Sequence, residues 1–423
     1  MPDQAPAPIV FSFPHGIDNR DRETAVPPTA LRGCDNLDVT RDGGLLSRKG
    51  TRLVSAGDCH SLWTHPSHRF LLLVKDGQLS RVDPDETCVA LAPTVGNVSY
   101  ALMNDDVFWT DGSSIGQVTA KGETGVWGMP SPPLPLVTAT GVGGLAAGIY
   151  QVAMSAVAPN GLESGVSGTV RIEVAEGGGI EVTTPNATGV AFAFYRTPVN
   201  GASEELRFYG QYPPGQTALL GVGNLGKRLE SLYAVRPLPG QCLMAHKGRL
   251  WGASGKVVWF TSERSPHWLF PSVGYYQFES EVAVVGATED GLFVGLYDRV
   301  YYLQGADPYQ MTQRPVSSVG AVKGSGLEIP YDLFVGQNSF PSRQCAWWDT
   351  EGFLCVGKPG GIVMRPTQDR YSAGLATHGV MAYRRHEGMR QLVTGLSVQD
   401  GGGLHATDTA INAVFANGVV LNP

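Results

Sequence analysis

The stretch that decides the fold runs from Pro239 to Val363 and repeats one short pattern three times. In each copy, an apolar strand leads through a turn containing glycine into a second apolar strand. The copies are 242-CLMA-245, 247-KG-248 and 250-LW-251; 282-VAVV-285, 290-DG-291 and 292-LFV-294; and 345-CAWW-348, 351-EG-352 and 353-FLCV-356. Tight turns between apolar runs predict consecutive antiparallel hairpins. Short strands that recur at intervals of about 40 residues are typical of β-propeller blades.

Working outward, the same pattern returns on both sides of this stretch. The further copies are 70–82 with its turn at Asp76-Gly77, 99–112 with its turn at 104–106, and 380–393 with its turn at Glu387-Gly388. Six units result, and a seventh is expected between Ala321 and Val335. The tail from residue 401 to residue 423 is expected to pair with the first strand and close the ring, which would remove two exposed sheet edges.

A different domain interrupts the series between two proline-rich linkers, 129–135 and 236–240. Strands are predicted there at 148–157, 170–174, 180–183 and 190–195, separated by Asn-Gly and Gly-Gly-Gly turns. Several short strands within about 100 residues predict a β-sandwich of the immunoglobulin or fibronectin type. We therefore predict an all-β chain with an extended N-terminal arm (1–30), a β-propeller of about six or seven blades split into 31–128 and 241–400, an inserted β-sandwich (129–240) and a C-terminal closing segment (401–423).

The composition of the 423 residues agrees with this architecture. Gly 55 and Pro 29 indicate many turns, while 42% hydrophobic residues are enough for a substantial core. The net charge of −7 argues against a surface built to bind nucleic-acid phosphates. No apolar run is long enough for a membrane helix, and residues 1–13 lack the basic and apolar regions of a signal peptide. Six scattered single cysteines favour synthesis in a reducing cytoplasm.

Several short motifs match the sequence patterns of known sites but lack the structural context that those sites need. The run Gly221–Lys227 fits a phosphate-binding loop, but Arg228 stands where Ser or Thr would hold Mg²⁺, and no strand–loop–helix unit surrounds it. The run Gly112–Gly116 fits a nucleophile elbow but lies between two short strands, so a hairpin turn is expected. His60, His65 and His68 have no supporting carboxylates and are interpreted as ordinary strand and loop residues. We predict no catalytic residue, cofactor or metal site.

Acidic pairs and aromatic residues suggest two further kinds of site. The carboxylates at 83–86, 105–106 and 204–205 would suit a glycosidase, although aspartate is common in hairpin turns for backbone reasons. Exposed aromatic side chains are enriched where proteins bind partners, and 41–52 is the one local cluster of positive charge. The predicted interaction surface comprises Arg41, Arg48, Lys49, Arg52, Trp251, Trp268, Trp347 and Trp348.

Several short runs of the sequence resemble structural proteins of tailed-bacteriophage tails. The run 36-NLDV-39, followed by 42-DGGL-45 and 48-RKG-50, is similar to the stretch that introduces a propeller-like tail domain in the tail nozzle, or head-closure and DNA-stabilisation, proteins of short-tailed phages. The runs 148-GIYQV-152, 160-NGLES-164, 195-YRT-197, 241-QCLM-244, 248-GRLW-251, 260-FTS-262 and 347-WWDTEG-352 look like the same kind of protein. Together they span most of the chain.

The resemblance implies a non-enzymatic virion protein, made in the host bacterial cytoplasm. It would oligomerise as a tail nozzle or hub, contact other tail, portal or adaptor proteins, and help to retain and then pass phage DNA without specific binding. The alternative is a peripheral baseplate or tail-tip protein that holds receptor-binding subunits or contacts a host surface receptor or glycan. A third hypothesis, from a different class, is a carbohydrate-active propeller enzyme.

Overall fold

A computed structural model describes residues 12–13, 15–34, 37–40, 43–47, 53, 56–330, 342–386, 389–398, 410–415 and 418–419. Strands predominate in these residues, and the helical segments among them are the short 3-10 turns Glu23–Ala25, Ser203–Glu205 and Pro359–Gly361. No helix in the described ranges combines the length and apolar character needed to cross a membrane. The predicted all-β fold class is confirmed.

The first strands of the chain form a hairpin and two four-stranded sheets. The hairpin pairs β1 (Leu37–Val39) with β2 (Leu45–Ser47). Sheet 1 contains β3 (Cys59–Trp63), β4 (Leu71–Lys75), β5 (Gln78–Val82) and β6 (Cys88–Pro93). Sheet 2 contains β7 (Ser99–Met103), β8 (Asp106–Thr110), β9 (Ile115–Val118) and β10 (Thr124–Gly125).

The inserted sandwich has seven strands in two sheets. They are β11 (Leu136–Leu145), β12 (Gly148–Val157), β13 (Val170–Val174), β14 (Gly178–Thr183), β15 (Ala191–Arg196), β16 (Arg207–Tyr212) and β17 (Thr217–Leu220). The three-stranded sheet has the order β11-β14-β17 and the four-stranded sheet the order β13-β12-β15-β16. Alternate residues of both sheets, such as Val152, Ile180 and Phe194, are fully buried in one shared core. The predicted sandwich is therefore present.

Four more four-stranded sheets follow. Sheet 3 contains β18 (Gln241–His246), β19 (Arg249–Ser254), β20 (Val257–Phe260) and β21 (Tyr275–Gln277); sheet 4 contains β22 (Val282–Ala287), β23 (Gly291–Leu296), β24 (Val300–Gln304) and β25 (Thr312–Ser317). Sheet 5 contains β26 (Leu327–Ile329), β27 (Gln344–Trp348), β28 (Leu354–Lys358) and β29 (Ile362–Met364); sheet 6 contains β30 (Ala376–His386), β31 (Met389–Val398), β32 (Ala410–Phe415) and β33 (Gly418–Val419). Each sheet follows chain order, as propeller blades do.

Two-residue turns explain how these short strands form. Asp76-Gly77 joins β4 to β5 and Asn104-Asp105 joins β7 to β8, with positive φ at both positions of each turn. Such turns twist in the sense that matches antiparallel strands, and glycine, asparagine and aspartate adopt that backbone conformation at low cost. The six predicted units are the six sheets.

Sheet 5 shows how the core of these units is built. Trp347 and Trp348 are successive residues of β27, so their side chains leave opposite faces of the sheet. The Trp347 ring lies 5.3 Å from the Phe293 ring of sheet 4, and Trp348 packs with Leu392 and Leu396 of sheet 6. Both faces of sheet 5 are therefore covered by neighbouring sheets.

Two expectations about the ends of the series differ from the structure. Ala321–Val335 forms no seventh unit in its described part, because Leu327–Ile329 is the first strand of sheet 5. The tail strand β32 pairs with β31 and β33 pairs with β32, so these described tail residues complete sheet 6 and do not pair with the first strand.

The described part of the N-terminal arm is packed against other residues of its own compact unit. The side chain of Ile17 is buried in the core cluster that contains Trp348. The amide of Asn19 donates to the carbonyl oxygen of Ser372 at 2.8 Å and accepts from its backbone N–H at 3.0 Å. Proline content alone does not reveal such tertiary contacts.

The chain divides into two compact units. One comprises Met1–Gly57, Ala253–Val257 and Gln277–Pro423, and the other comprises Asp58–Gly252 and Val258–Tyr276. The sandwich belongs entirely to the second unit, while sheets 4 to 6 belong to the first.

Candidate interaction surfaces

Three of the four predicted surface tryptophans are core residues. Trp251, Trp347 and Trp348 are each at most 1% exposed. The Trp251 ring lies 4.5 Å from the Phe260 ring, and the Trp348 indole N–H donates to the Thr394 hydroxyl at 3.2 Å. Their assignment to an interaction surface is corrected, because burial leaves nothing for a partner to touch.

Trp268 lies at the edge of the sandwich and is half-buried. Its indole N–H donates to the backbone oxygen of Glu163 at 2.8 Å. The Glu163 carboxylate accepts hydrogen bonds from the hydroxyls of Ser155 and Tyr195, both at 2.5 Å. Burial, followed by the hydrogen bond to Glu163, raises the pKa of Tyr195 well above its usual value, so the phenol stays protonated. This network holds the loop after β12 in place. It contains no activated nucleophile.

The four basic residues of the predicted surface, Arg41, Arg48, Lys49 and Arg52, lie outside the described residues. Their candidate role therefore stays a prediction.

The two glycine-rich motifs lie in turns and loops of the β structure. Within Gly221–Lys227, the N–H of Gly226 donates to the carbonyl oxygen of Phe208 at 2.8 Å, and the Lys227 carbonyl oxygen accepts from the N–H of Phe208 at 2.9 Å. The loop thus runs beside β16 and no helix follows it. Gly112–Gly116 joins β8 to β9, where one carboxylate oxygen of Asp111 accepts the N–H groups of residues 113 and 114. The expected hairpin turn is confirmed.

His60 lies within β3, where its Nδ1 is 2.9 Å from the Ser61 hydroxyl oxygen, and His65 and His68 follow this strand. His65 and His68 both bond the Ser67 hydroxyl, at 2.7 and 2.9 Å, and Nε2 of His68 lies 3.0 Å from the Asp105 carbonyl oxygen. Among the described residues, no group of three or more His, Cys, Asp and Glu side chains is arranged to hold a metal ion.

The acidic pairs are turn residues with local partners. Asp83 forms an ion pair with Arg81 at 2.9 Å, and Asp106 accepts from the side chain of Gln117 at 2.5 Å and from the Ala120 N–H at 3.0 Å. The carboxylate of Glu205 accepts the N–H of residue 202. The Asp106 and Glu205 carboxylates thus organise backbone in the way that is typical of acidic residues in turns, whereas the Asp83 carboxylate pairs with a side chain.

The most deeply buried carboxylate, Asp349, was not singled out from the sequence. It is 1% exposed, forms an ion pair with Arg365 at 2.9 Å, and accepts the N–H groups of Glu351 and Phe353 at 3.0 and 2.8 Å. Burial raises its pKa, while these hydrogen bonds and Arg365 act in the opposite direction. The Cys355 thiol of β28 also donates to it at 3.4 Å, so the carboxylate holds the β27–β28 turn against β28 and Arg365. The Asp-Thr-Glu-Gly sequence of the turn was the available signal.

A buried guanidinium lies in the sandwich. Arg196 is 5% exposed and donates to the carbonyl oxygens of Thr197 at 2.9 Å and Gly221 at 3.3 Å. Its guanidinium also lies 5.3 Å from the Tyr150 ring centroid and 5.7 Å from that of Tyr209. Burial lowers the pKa of Arg196 from its usual value.

The outer face of the three-stranded sandwich sheet is exposed and almost uncharged. Leu136 is paired with Thr183, and Thr183 with Thr217; in the next row, Glu181 is paired with Leu219. Leu136 and Val222, which lies beside the sheet, are 73% and 70% exposed, and Val142 and Leu219 are also exposed. Glu181 carries the single charge among the described outward residues of these rows. Such a surface, which we call the sandwich outer face, is suited to packing against another protein.

Comparisons with known proteins show no family and support no function. No protein-family model matches the chain, and no curated protein matches it. Among solved structures, the chain is similar to Kluyveromyces lactis Hsv2p, with 11% identity, coverage of 57% of this chain and 58% of that chain, and a TM-score of 0.25. It is also similar to the N-terminal domain of Nup159, with 9% identity, coverage of 80% of this chain and 73% of that chain, and a TM-score of 0.29. For the AfRom2 CNH domain, the identity is 8%, the coverage is 81% of this chain and 91% of that chain, and the TM-score is 0.26. The matched part spans less than two thirds of the Hsv2p chain, and TM-scores this low support no conclusion about function.

Proposed function

We propose that this protein is a structural component of a bacteriophage tail, where copies of it assemble as a nozzle or hub that helps to close the tail channel and retain, then pass, DNA. The sequence resemblance supports the tail assignment. The sandwich outer face supports assembly, because it offers exposed Leu and Val side chains on a sheet with one charge.

The physical argument rests on what a second copy would meet at this face. Fully burying a leucine or valine side chain contributes about 1.5–3 kcal/mol. Leu136, Val142, Leu219 and Val222 would supply the apolar centre of such a contact. A neutral face also carries little electrostatic repulsion, although the chain as a whole has a net charge of −7. In the proposed ring, this face of one copy contacts a different surface of the next copy, because a face that packs against itself closes a two-fold dimer.

The test measures the assembly of the purified full-length chain by light scattering after size-exclusion chromatography and by negative-stain electron microscopy. We expect rings with an open centre. The double variant Leu136→Asp, Leu219→Asp is expected to remain folded by circular dichroism and to become monomeric. The control Ile362→Asp replaces a residue of similar exposure (57%) on β29 and should still assemble.

Three outcomes would count against the proposal in different ways. A wild-type chain that stays monomeric at high concentration would refute assembly through this face. Trimers without a channel would favour the baseplate alternative. Absence of the protein from purified particles of a phage that encodes it, measured by mass spectrometry, would refute the tail assignment itself.

A further inference from the structure

Sheet 6 is the last sheet of the series, and one of its two faces is exposed along β30 and β31. The inner face packs into the core that it shares with sheet 5. On the other face, the strand register places Val380 opposite Gly395 and Ala382 opposite Val393. Val380 is 63% exposed, Ala382 is exposed, and Val393 and Gly395 are half-buried. We call this surface the sheet 6 outer face.

One positive charge lies at the end of this face. Arg384 is two residues beyond Ala382 on β30, so its side chain leaves the same side of the sheet. It is exposed, and it has no ion-pair partner within the described part of the chain. His378, at the other end of the face, contacts the Thr377 hydroxyl through Nδ1 at 3.2 Å. Arg384 is therefore the one Asp, Glu, Lys or Arg among the described outward residues of β30 and β31.

The sandwich outer face has the opposite charge in a similar setting. Glu181 is its single described charge, and it lies directly opposite Thr138 on β11 and Leu219 on β17. It is exposed and, among the described residues, likewise has no ion-pair partner. Each face thus carries one unpaired charge beside exposed apolar side chains. Opposite charges on two such faces favour their pairing and fix the register of the contact.

The spacing between charge and apolar side chains also agrees on the two faces. Leu219 lies about 5 Å from Glu181 as its direct cross-strand neighbour, and Leu136 lies about 7–8 Å away as a diagonal neighbour. On sheet 6, Ala382 and Arg384 are two residues apart on one strand, which is about 7 Å. Sheets that pack face to face lie about 10 Å apart. The long side chains of glutamate and arginine can meet across that distance.

The sizes of the side chains are complementary as well. Leu136 and Leu219 project from the sandwich outer face, where they are 73% and 43% exposed. The sheet 6 outer face instead has small residues at its centre, Ala382 and Gly395, with Val380 beside them. Large apolar side chains that pack over small ones fill the space between two sheets, as alternating residues do in a protein core.

A ring requires two different surfaces on each copy, because only a head-to-tail contact can repeat around an axis. We propose that the sheet 6 outer face of one copy receives the sandwich outer face of the next copy, with Arg384 pairing with Glu181. This inference rests on the proposed assembly and names the second surface that the assembly needs. Each copy carries both faces, one on each compact unit of the chain, so the contact repeats from copy to copy.

Charge reversal in the purified full-length chain tests the pairing. Arg384→Glu and Glu181→Arg each bring like charges together, so each should weaken association at least about tenfold, measured by sedimentation and light scattering over a concentration series. The double variant should recover the lost affinity. An equimolar mixture of the two single variants should also assemble, because an alternating arrangement joins unlike charges at every contact. The control Arg370→Glu, which reverses an exposed arginine of the same compact unit, should leave assembly unchanged.

The mixture separates this contact from a simple folding defect, since a misfolded variant is not rescued by another one. Circular dichroism of each variant confirms that it is folded, and Val380→Asp, at the apolar centre of the face, should also weaken assembly. Suppose that the wild type assembles through the sandwich outer face while folded Arg384→Glu and Val380→Asp assemble normally, or while neither the double variant nor the mixture recovers. This inference is then wrong and the proposed function stands. A monomeric wild type would refute both.

Discussion

Replacing Gly116 with alanine tests how sheet 2 is packed. Gly116 on β9 lies directly opposite Trp109 on β8, and the indole occupies the space where a side chain at 116 would lie. A Cβ atom built there would lie 2.5 Å from Cε2 and Cζ2 of the indole. Since Gly116 is not among the residues with positive φ, the effect of Gly116→Ala is steric and not conformational.

The expected cost follows from this distance. An ordinary Cβ contact measures 3.4–4 Å, so the indole or the strand must move by about 1 Å. Trp109 is 5% exposed within the core cluster that includes Leu72 and Val107, which leaves little room to move. Overpacking of this kind costs about 1–3 kcal/mol, and alanine recovers about 0.4–1 kcal/mol by restricting the unfolded chain. We expect the free energy of unfolding to fall by about 1–2 kcal/mol.

Urea unfolding followed by tryptophan fluorescence, with hydrogen exchange of the β8 and β9 amides as a local probe, measures this change. With a slope of about 3 kcal/mol/M, the midpoint should fall by about 0.5 M. The matched control is Gly125→Ala on β10, where the new Cβ would contact Gln117 at an ordinary 3.6 Å. If both variants unfold at the same urea concentration and with the same exchange rates, the indole has room after all and the packing argument is wrong.

Three further changes test buried polar groups. Burial lowers the pKa of His267, whose Nδ1 accepts the Gly128 N–H at 3.1 Å, so the unfolded chain takes up the proton first as the pH falls. The free energy of unfolding should therefore decline below about pH 6.5, and His267→Gln should flatten this part of the stability profile measured by urea unfolding. Asp349→Ala leaves two N–H groups without their acceptor and Arg365 with Glu351 as its remaining partner, so it should cost about 1–3 kcal/mol for each N–H group left unsatisfied, whereas thermal melting should show a smaller loss for Asp349→Asn. Arg196→Met keeps the packing volume of a guanidinium without its desolvation cost, so chemical denaturation should show it to be more stable than Arg196→Ala.

The hairpins were predictable because their turns are determined by the local sequence. Asp-Gly and Asn-Asp pairs adopt positive φ at both positions, as Asp76-Gly77 and Asn104-Asp105 do, and this geometry is decided by two residues. The sandwich strand β12 has the predicted bounds, because Asn160-Gly161 and a clean apolar alternation delimit it.

The tryptophans were misassigned because burial on both faces of a sheet is a tertiary property. In β27, residues 344–348 are all buried, so the alternation that would distinguish an inward from an outward side chain is missing. An aromatic pair then fits an exposed platform and a doubly covered strand equally well. Only the positions of sheets 4 and 6 separate the two, and those depend on contacts distant in sequence.

The sandwich outer face and the bulge in β25 could not be predicted from the sequence, for related reasons. In β11, Leu136 faces outward and Val137 is half-buried, so both faces of the strand present apolar residues and periodicity does not identify the outer one. The bulge depends on which residue of β25 is left without a cross-strand partner, and Pro315, Val316 and Ser317 are each compatible with a regular strand by composition. Register is set by pairing with β24 and not by β25 alone.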